Sequence, residues 1–390
     1  MILSAVITII GFVLASILIF SPRFAKSTQW QATVTPLASI MGSGFLVSAP
    51  LLSGVVGQYA VFFMGALLIL AYLVGSALRF NIQYFEPIEN EKGFIQDVAF
   101  LSRVVLAGAY FISITYYLQL LGAFVLNVLG VNNMFISNVI TTALLCVIGL
   151  VGMWRGLNIL EKVEKYAIGL NLGMIGALIC ALIYFNLNLL SSGLWVLPKI
   201  ESKIDFHSIK VILGLLIVVQ GFETSRFLGE EYTAKERISS MKKAQGLSAI
   251  IYLIFISLVT VLFTPGLGTD VTAIIEMVRP IAVVLPLLLI VAAVVSQFSA
   301  SVADNAGASG LVQEITRHRI PTKLIYALIL FITVLLTWTT NVNQIIAYAS
   351  RAFALFYALQ CSVSFLIAKK KGSPAESVGK KELKHPVFNI

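Results

Sequence analysis

Charge is what this chain has least of. Only 12% of its 390 residues are Asp, Glu, Lys or Arg, while 58% are hydrophobic. A soluble domain carries about 25% charged residues, so a water-exposed globular surface is excluded. The mean hydropathy of +0.94 points instead to a polytopic membrane protein. Cysteine and histidine are equally scarce. Cys146, Cys180 and Cys361 all lie in apolar segments, fit no disulfide or metal spacing, and read as small buried hydrophobes. His207, His318 and His385 stand at or beyond the ends of apolar segments, which makes a metal site built from them improbable. There is no His-Glu-x-x-His, no phosphate-cradling Gly-x-x-x-x-Gly-Lys and no nucleophile elbow. The chain is therefore not expected to be an enzyme or to hold a cofactor. The formal net charge of +9 implies no nucleic acid, because the basic residues sit in loops between apolar segments.

What is present is a succession of about eleven apolar segments near the ~20 residues a helix needs to cross a bilayer. The first, 2–20, lacks a basic n-region and is longer than the apolar core of a signal peptide, so it reads as a retained extra helix. Then come 33–55, 57–81, 99–129, 134–154 and 164–186, followed by 207–229, 244–265, 279–312, 322–340 and 343–367. The organisation expected is 1–32 as an extra helix and basic loop, 33–367 as the core, and 368–390 as a basic, disordered cytoplasmic tail. Basic residues cluster after alternate segments: Arg23 and Lys26, then Arg155, Lys162 and Lys165, then Lys235, Arg237, Lys242 and Lys243. Arg317, Arg319 and Lys323, and finally Lys369, Lys370 and Lys371, continue the series. The opposite loops near Ser53, Val131 and Asn341 carry no Lys or Arg, although Lys199, Lys203 and Arg279 fall on that side. The positive-inside rule puts the N-terminus outside and the C-terminus in the cytoplasm of an inner membrane.

Two segments are interrupted in corresponding places. One reads Ile40-Met41-Gly42-Ser43-Gly44, and the other reads Gln220-Gly221-Phe222-Glu223. Glycine weakens a helix interior, and unwound backbone at membrane depth is tolerated only against protein or a water-filled cavity. With the extra helix set aside, the breaks fall in helices one and six of ten. An odd number of crossings per half inverts the second half, giving an all-α five-plus-five inverted repeat (33–186 and 207–367), where matched breaks mark a transporter's binding site.

The first break offers free N–H groups and a hydroxyl at the start of a half-helix, a natural seat for a carboxylate; close packing of small residues between helices is the plainer reading. Glu223 is an acid deep in an apolar run, and such acids usually mark a proton or ion path. Arg226 is three residues on, so a structural Glu223–Arg226 pair is the alternative. Phe222 is a candidate lid or plain core. The later segment Ser296 to Asn305 is unusually polar. In related five-plus-five transporters, which this chain resembles, hydroxyls of helix eight face the first-helix break and form a sodium site; that resemblance implies Ser301, Asp304 and Asn305, with carbonyls near Ala38 and Met41, as oxygen ligands. Alternatively Asp304 carries a proton, or neutralises Arg226 or Arg351. Tyr110, Thr115, Tyr116, Tyr117 and Gln119 would face a cavity or an interface.

At these breaks the chain resembles the amino acid–polyamine–organocation (APC) superfamily. Ile40-Met41-Gly42-Ser43-Gly44 is similar to its first-helix Gly-Ser/Thr-Gly motif, closest to the form seen in arginine–agmatine antiporters. Gly221-Phe222-Glu223 resembles its sixth-helix motif, and Glu230-Glu231 with Lys235-Glu236-Arg237 resembles the charges that follow. The resemblance implies that Gly42, Ser43 and Gly44 hold a substrate carboxylate, that Gln220 and Gly221 join the ammonium site, and that Glu223 takes part in proton-linked gating. The chain departs from the family at Tyr232-Thr233-Ala234, where Asn-Pro is usual, in lacking the last two of twelve helices, and in having no lysine deep in the fifth.

The expected function is secondary transport of an amino acid or related organic amine, coupled to protons or sodium. The candidate substrate-binding set is Ile40, Gly42, Ser43, Gly44, Tyr116, Gln220, Gly221 and Phe222. The coupling set is Glu223, Asp304, Ser301 and Asn305, and the sodium set is Ala38, Met41, Ser301 and Asp304. An inorganic cation transporter, or a non-transporting sensor or partner subunit docking through the extra helix, are the alternatives; a homo-oligomer and a membrane enzyme are also conceivable, the enzyme least.

Overall fold

The computed structural model describes residues 6, 8–13, 27–131, 133–155, 158–200, 205–229, 232–264, 270, 272–282 and 284–372. No strand occurs among them. In chain order the main helices are α1a (Thr28–Ser43), α1b (Phe45–Val56), α2 (Ala60–Tyr84), α3 (Phe94–Val128), α4 (Met134–Arg155) and α5 (Asn158–Ser191). The second half begins with α6a (Phe206–Gly214), tightens into a 3-10 stretch at Leu215–Val219, and restarts as α6b, a 3-10 helix at Phe222–Phe227. It continues through α7 (Ala234–Val259), a short helix at Ile274–Val278, α8 (Leu285–Ile315), α9 (Thr322–Thr339) and α10 (Val342–Gly372).

Among the described residues, 9 stretches are long and apolar enough to cross a membrane. The first, Thr28–Tyr84, has 57 residues. At 1.5 Å per residue it would run to about 85 Å, nearly three times the ~30 Å hydrocarbon core. It divides at Gly57, whose φ of 51 ends α1b and lets α2 start in a new direction. Counting that stretch as two crossings gives the ten-helix core, with the breaks in its first and sixth members. The expected extra helix is described only at residues 6 and 8–13. There Thr8 and Gly11 are buried, and Gly11 abuts Ala177 and Cys180 on α5. The rest of that segment, its basic loop and the tail beyond Gly372 lie outside the described residues.

The helices are arranged by what they bury. α3 packs along α8 and α10, α7 lies against α1a and α2, and α4 packs on α9 at the periphery. The outer helices turn large apolar side chains outward, among them Val147, Leu150 and Trp154 on α4 and Leu324, Phe331 and Leu335 on α9. Polar side chains such as Asn81, Ser113, Thr115 and Gln119 are turned inward. This inversion of the soluble pattern corrects the reading of the cysteines. Cys180 is exposed, and Cys146 and Cys361 are only partly covered, because an apolar residue in such a bundle is equally at home facing lipid.

Candidate functional site

The first break is one residue wide. α1a ends at Ser43 and α1b starts at Phe45, with Gly44 at φ −152 and ψ 3 between them. No side chain caps α1b. A Cβ on Gly44 would stand 2.6 Å from both Cα and Cβ of Val218, so only glycine lets the two broken helices approach here. The carbonyls freed by the break are met by neighbouring helices. Ser296 Oγ and Gln297 Nε2 on α8 both donate to the Gly42 carbonyl, at 3.0 and 3.2 Å. The Tyr252 hydroxyl on α7 reaches the Ile40 carbonyl at 3.2 Å and also the Val218 carbonyl across the gap. The Tyr252 ring sits edge-on to Phe45, the first residue of α1b.

The sixth helix breaks between Val219 and Phe222. Gln220 is extended (ψ 173), and Gly221 takes a φ of 113, which L side chains rarely adopt. A Cβ on Gly221 would lie 2.5 Å from Ser39 Oγ and 2.7 Å from the Ile40 nitrogen. The two breaks thus press backbone to backbone twice, Gly44 on Val218 and Gly221 on Ser39 and Ile40. Glu223 folds back so that Oε2 accepts from the Gly221 N–H at 2.9 Å, and Thr224 Oγ1 donates to the Gly221 carbonyl at 2.7 Å. Tyr357 on α10 donates to the same Glu223 oxygen at 2.9 Å and stacks on Phe222, with rings 5.3 Å apart and 15° from parallel. Gln220 Nε2 lies 3.3 Å from the Tyr117 hydroxyl on α3.

The sequence-identified residues therefore converge. Ile40, Gly42, Gly44, Tyr116, Gln220, Gly221, Phe222 and Glu223 are all buried around the paired breaks. Ser43 completes α1a, but its side chain lies outside the described residues. Ala38 is partly buried one turn before the break, and Met41 is buried.

Several charge pairings expected from spacing do not form. Arg226 does not meet Glu223; its guanidinium bonds Gln360 and lies 3.9 Å from Glu86. No basic side chain pairs with Glu223 among the described residues. The 3-10 turn would eclipse the two side chains; instead Glu223 is taken by the Gly221 N–H and Tyr357, and Arg226 by Gln360 on α10. Arg351 is exposed on α10, so a pair with Asp304 or Glu223 is ruled out as well.

On α8, Asp304 is turned toward α3, where Ser113 Oγ donates to Oδ2. Ser301 Oγ donates to the Phe298 carbonyl at 2.7 Å, and Asn305 Nδ2 to the Ser301 carbonyl at 3.2 Å. The α8 groups that touch the first break are Ser296 and Gln297, about one turn before Ser301 and two before Asp304. Tyr110 and Tyr117 on α3 sense the charges of both Asp304 and Glu223.

A polar lattice closes the other end of the sixth helix. Arg237, one turn into α7, clasps Glu86 with two bonds of 2.9 and 2.7 Å and donates to the Arg226 carbonyl at 2.7 Å. Gln360 on α10 accepts from Asn81 at 2.9 Å and from Arg226, and gives to Ser102 at 2.6 Å. The Thr233–Glu236 capping box starts α7 and fixes where Arg237 points. Glu230 and Glu231 lie outside the described residues. Sequence reasoning missed Tyr252, Tyr357, Ser113, Ser296 and Gln297 as parts of the site. Each is a polar group in an apolar run, but nothing local says which helix it faces.

A family profile described as an APC superfamily transporter matches residues 22–385. A protein of Aquifex aeolicus (strain VF5), described as uncharacterized, is 44% identical over 369 residues, covering 93% of this chain and 89% of that protein.

Proposed function

This chain belongs to the APC superfamily of transporters, and from that premise we propose that it carries an amino acid or related organic amine by alternating access around its two broken helices. The observation that carries the reading is the double backbone contact, Gly44 on Val218 and Gly221 on Ser39 and Ile40. It brings an uncapped helix start and a set of freed carbonyls to one place. The substrate carboxylate would sit at Gly42, Ser43 and Gly44, beside the uncapped N–H groups that open α1b. Its amine would meet the acceptor side of the sixth break near Val219 and Gln220.

Coupling to protons is the reading that the side chains favour over sodium. Among the described residues Glu223 is buried without a basic partner and is bonded by Tyr357 and Gly221, a setting in which gain of a proton changes what Tyr357 can donate to. Asp304 is engaged by a hydroxyl of α3. The N-terminus is assigned outside and the C-terminus to the cytoplasm on the distribution of basic loops.

The test is uptake of a pooled labelled amino acid mixture into proteoliposomes under an inward proton gradient, comparing wild type with Glu223→Gln. Gradient-driven uptake that disappears in the variant supports both the transport and the coupling role. Uptake that persists moves coupling to Asp304 or to sodium. No uptake, even after loading the vesicles with counter-substrate, overturns the reading.

A further inference from the structure

The first break is bordered by a side chain whose bonding is half complete. Gln297 is 4% exposed. Its nitrogen donates to the Gly42 carbonyl at 3.2 Å, while its oxygen, Oε1, has no donor among the described residues. The orientation of this amide is fixed by chemistry. A carbonyl can only accept, so the NH2 end must face Gly42 and the oxygen must be the end left over. Gln220, across the gap, also has a buried Oε1 without a donor, but its partner is the Tyr117 hydroxyl, which can give or take. That amide can turn over; Gln297 cannot. A third such oxygen, on Gln119, belongs to an amide that donates to Thr337 and Thr340 on α9 and so serves the α3–α9 contact.

A buried acceptor without a donor is costly, and this one stands beside the backbone where the substrate is proposed to lie. Ser296 and Gln297 both give to the Gly42 carbonyl, and the single proton of Tyr252 is shared between the Ile40 and Val218 carbonyls. What Gln297 Oε1 lacks among the described residues is a donor, and an ammonium group is a donor three times over. We propose that Gln297 Oε1 accepts a hydrogen bond from the substrate's ammonium group, which makes Gln297 a specificity-determining residue for amines over the corresponding carboxylic acids. The inference rests on the transport reading above and deepens it. It places one contact to the amine on α8, so the substrate is read by a third helix in addition to the two broken ones. The fixed amide also links recognition to the break, since turning Gln297 toward the substrate any further would release the Gly42 carbonyl.

The experiment is calorimetric titration of the full-length protein in detergent. The twenty common L-amino acids identify the tightest binder, which is then compared with its des-amino acid, the same molecule with hydrogen in place of the α-amine. Wild type is compared with Gln297→Met, which keeps length and removes both polar ends, and with Gln297→Glu. In its neutral form the glutamic acid retains a donor for Gly42 and an oxygen for the amine. The expected result is a loss of about tenfold or more in affinity for the amino acid in Gln297→Met, a change of less than about threefold for the des-amino acid, and recovery in Gln297→Glu. Equal losses for both ligands, the outcome for a residue that only supports Gly42 or an ion, overturn the inference and leave the transport reading intact. Absence of binding by any amino acid to folded wild type overturns both. If Gln297→Met does not fold, the amino to des-amino affinity ratio in Gln297→Glu decides alone: a ratio near that of wild type supports the assignment, and a collapsed ratio refutes it.

Discussion

At the first break the freed carbonyls of Ile40 and Gly42 are met by side chains from α7 and α8. At the sixth the freed N–H and carbonyl of Gly221 are met by Glu223 and Thr224, two and three residues further along the same segment. One interruption is held by its neighbours and the other largely by itself. The backbone explains the division. α1b resumes as a full α-helix of 12 residues, which commits its own polar groups to the helical ladder. α6b resumes as a 3-10 turn of 6 residues, too short to absorb the groups freed at Gly221 into a helical ladder, so nearby side chains fold back to meet them. The lesson is that substitutions far away on α7 or α8 reach the first break, while the sixth is disturbed most from within.

The sharpest way to break the comparison is Gly221→Ala. It combines an unfavourable φ with overlap on the Ser39 and Ile40 backbone, where backbone cannot give way. A loss of about 3 kcal/mol or more in stability is expected, seen as a lowered unfolding temperature in detergent and loss of uptake. Gly44→Ala is next. Its nearest overlaps are with Val218 and its backbone angle is open to other residues, so about 2 kcal/mol is expected; equal effects of the two alanines would remove the asymmetry. Tyr252→Phe keeps the ring on Phe45 and removes the one hydroxyl that serves both broken helices. A cost of about 1–2 kcal/mol is expected, with faster amide exchange in 40–45 and in 218–222 together. Faster exchange confined to one segment would mean that the hydroxyl bonds only that helix. Ser296→Ala should have the smallest effect, about 1 kcal/mol or less, because Gln297 still donates to Gly42. Its exchange signature should stay within the first break.

Much of this was legible in the sequence for a plain reason. Gly42, Gly44 and Gly221 interrupt apolar runs long enough to be helices, and an interruption of that kind has few explanations in a bilayer. The acid in Gly221-Phe222-Glu223 stood out on the same ground. The partners of these residues were not legible. Ser296 meets Gly42 across 254 positions, and Tyr357 meets Glu223 across 134. In a membrane bundle, apolar residues occupy both the inner and the outer faces, so the periodicity that reveals a buried face in a soluble helix is muted. The same physics misplaced the cysteines. The spacing of three leaves a Glu223–Arg226 pair open as an alternative; Gln360 of α10, and Glu86 just beyond α2, take the arginine instead, and no local pattern in the sequence signals either.

The lattice around Gln360 has a bearing on how that end of the molecule can open. One amide serves three helices besides its own: its oxygen takes Asn81 of α2 and Arg226 of α6b, and its nitrogen gives to Ser102 of α3. Arg226 in turn is tied through its carbonyl to Arg237 of α7. A hinge motion in any one of these helices strands the groups of the others, so half-open arrangements leave buried donors and acceptors unmet and are penalised relative to both ends. Opening there should be cooperative, a switch between two populations. Spin labels placed on α2 and α10 would then report two discrete distances whose proportions shift, with no graded intermediate between them.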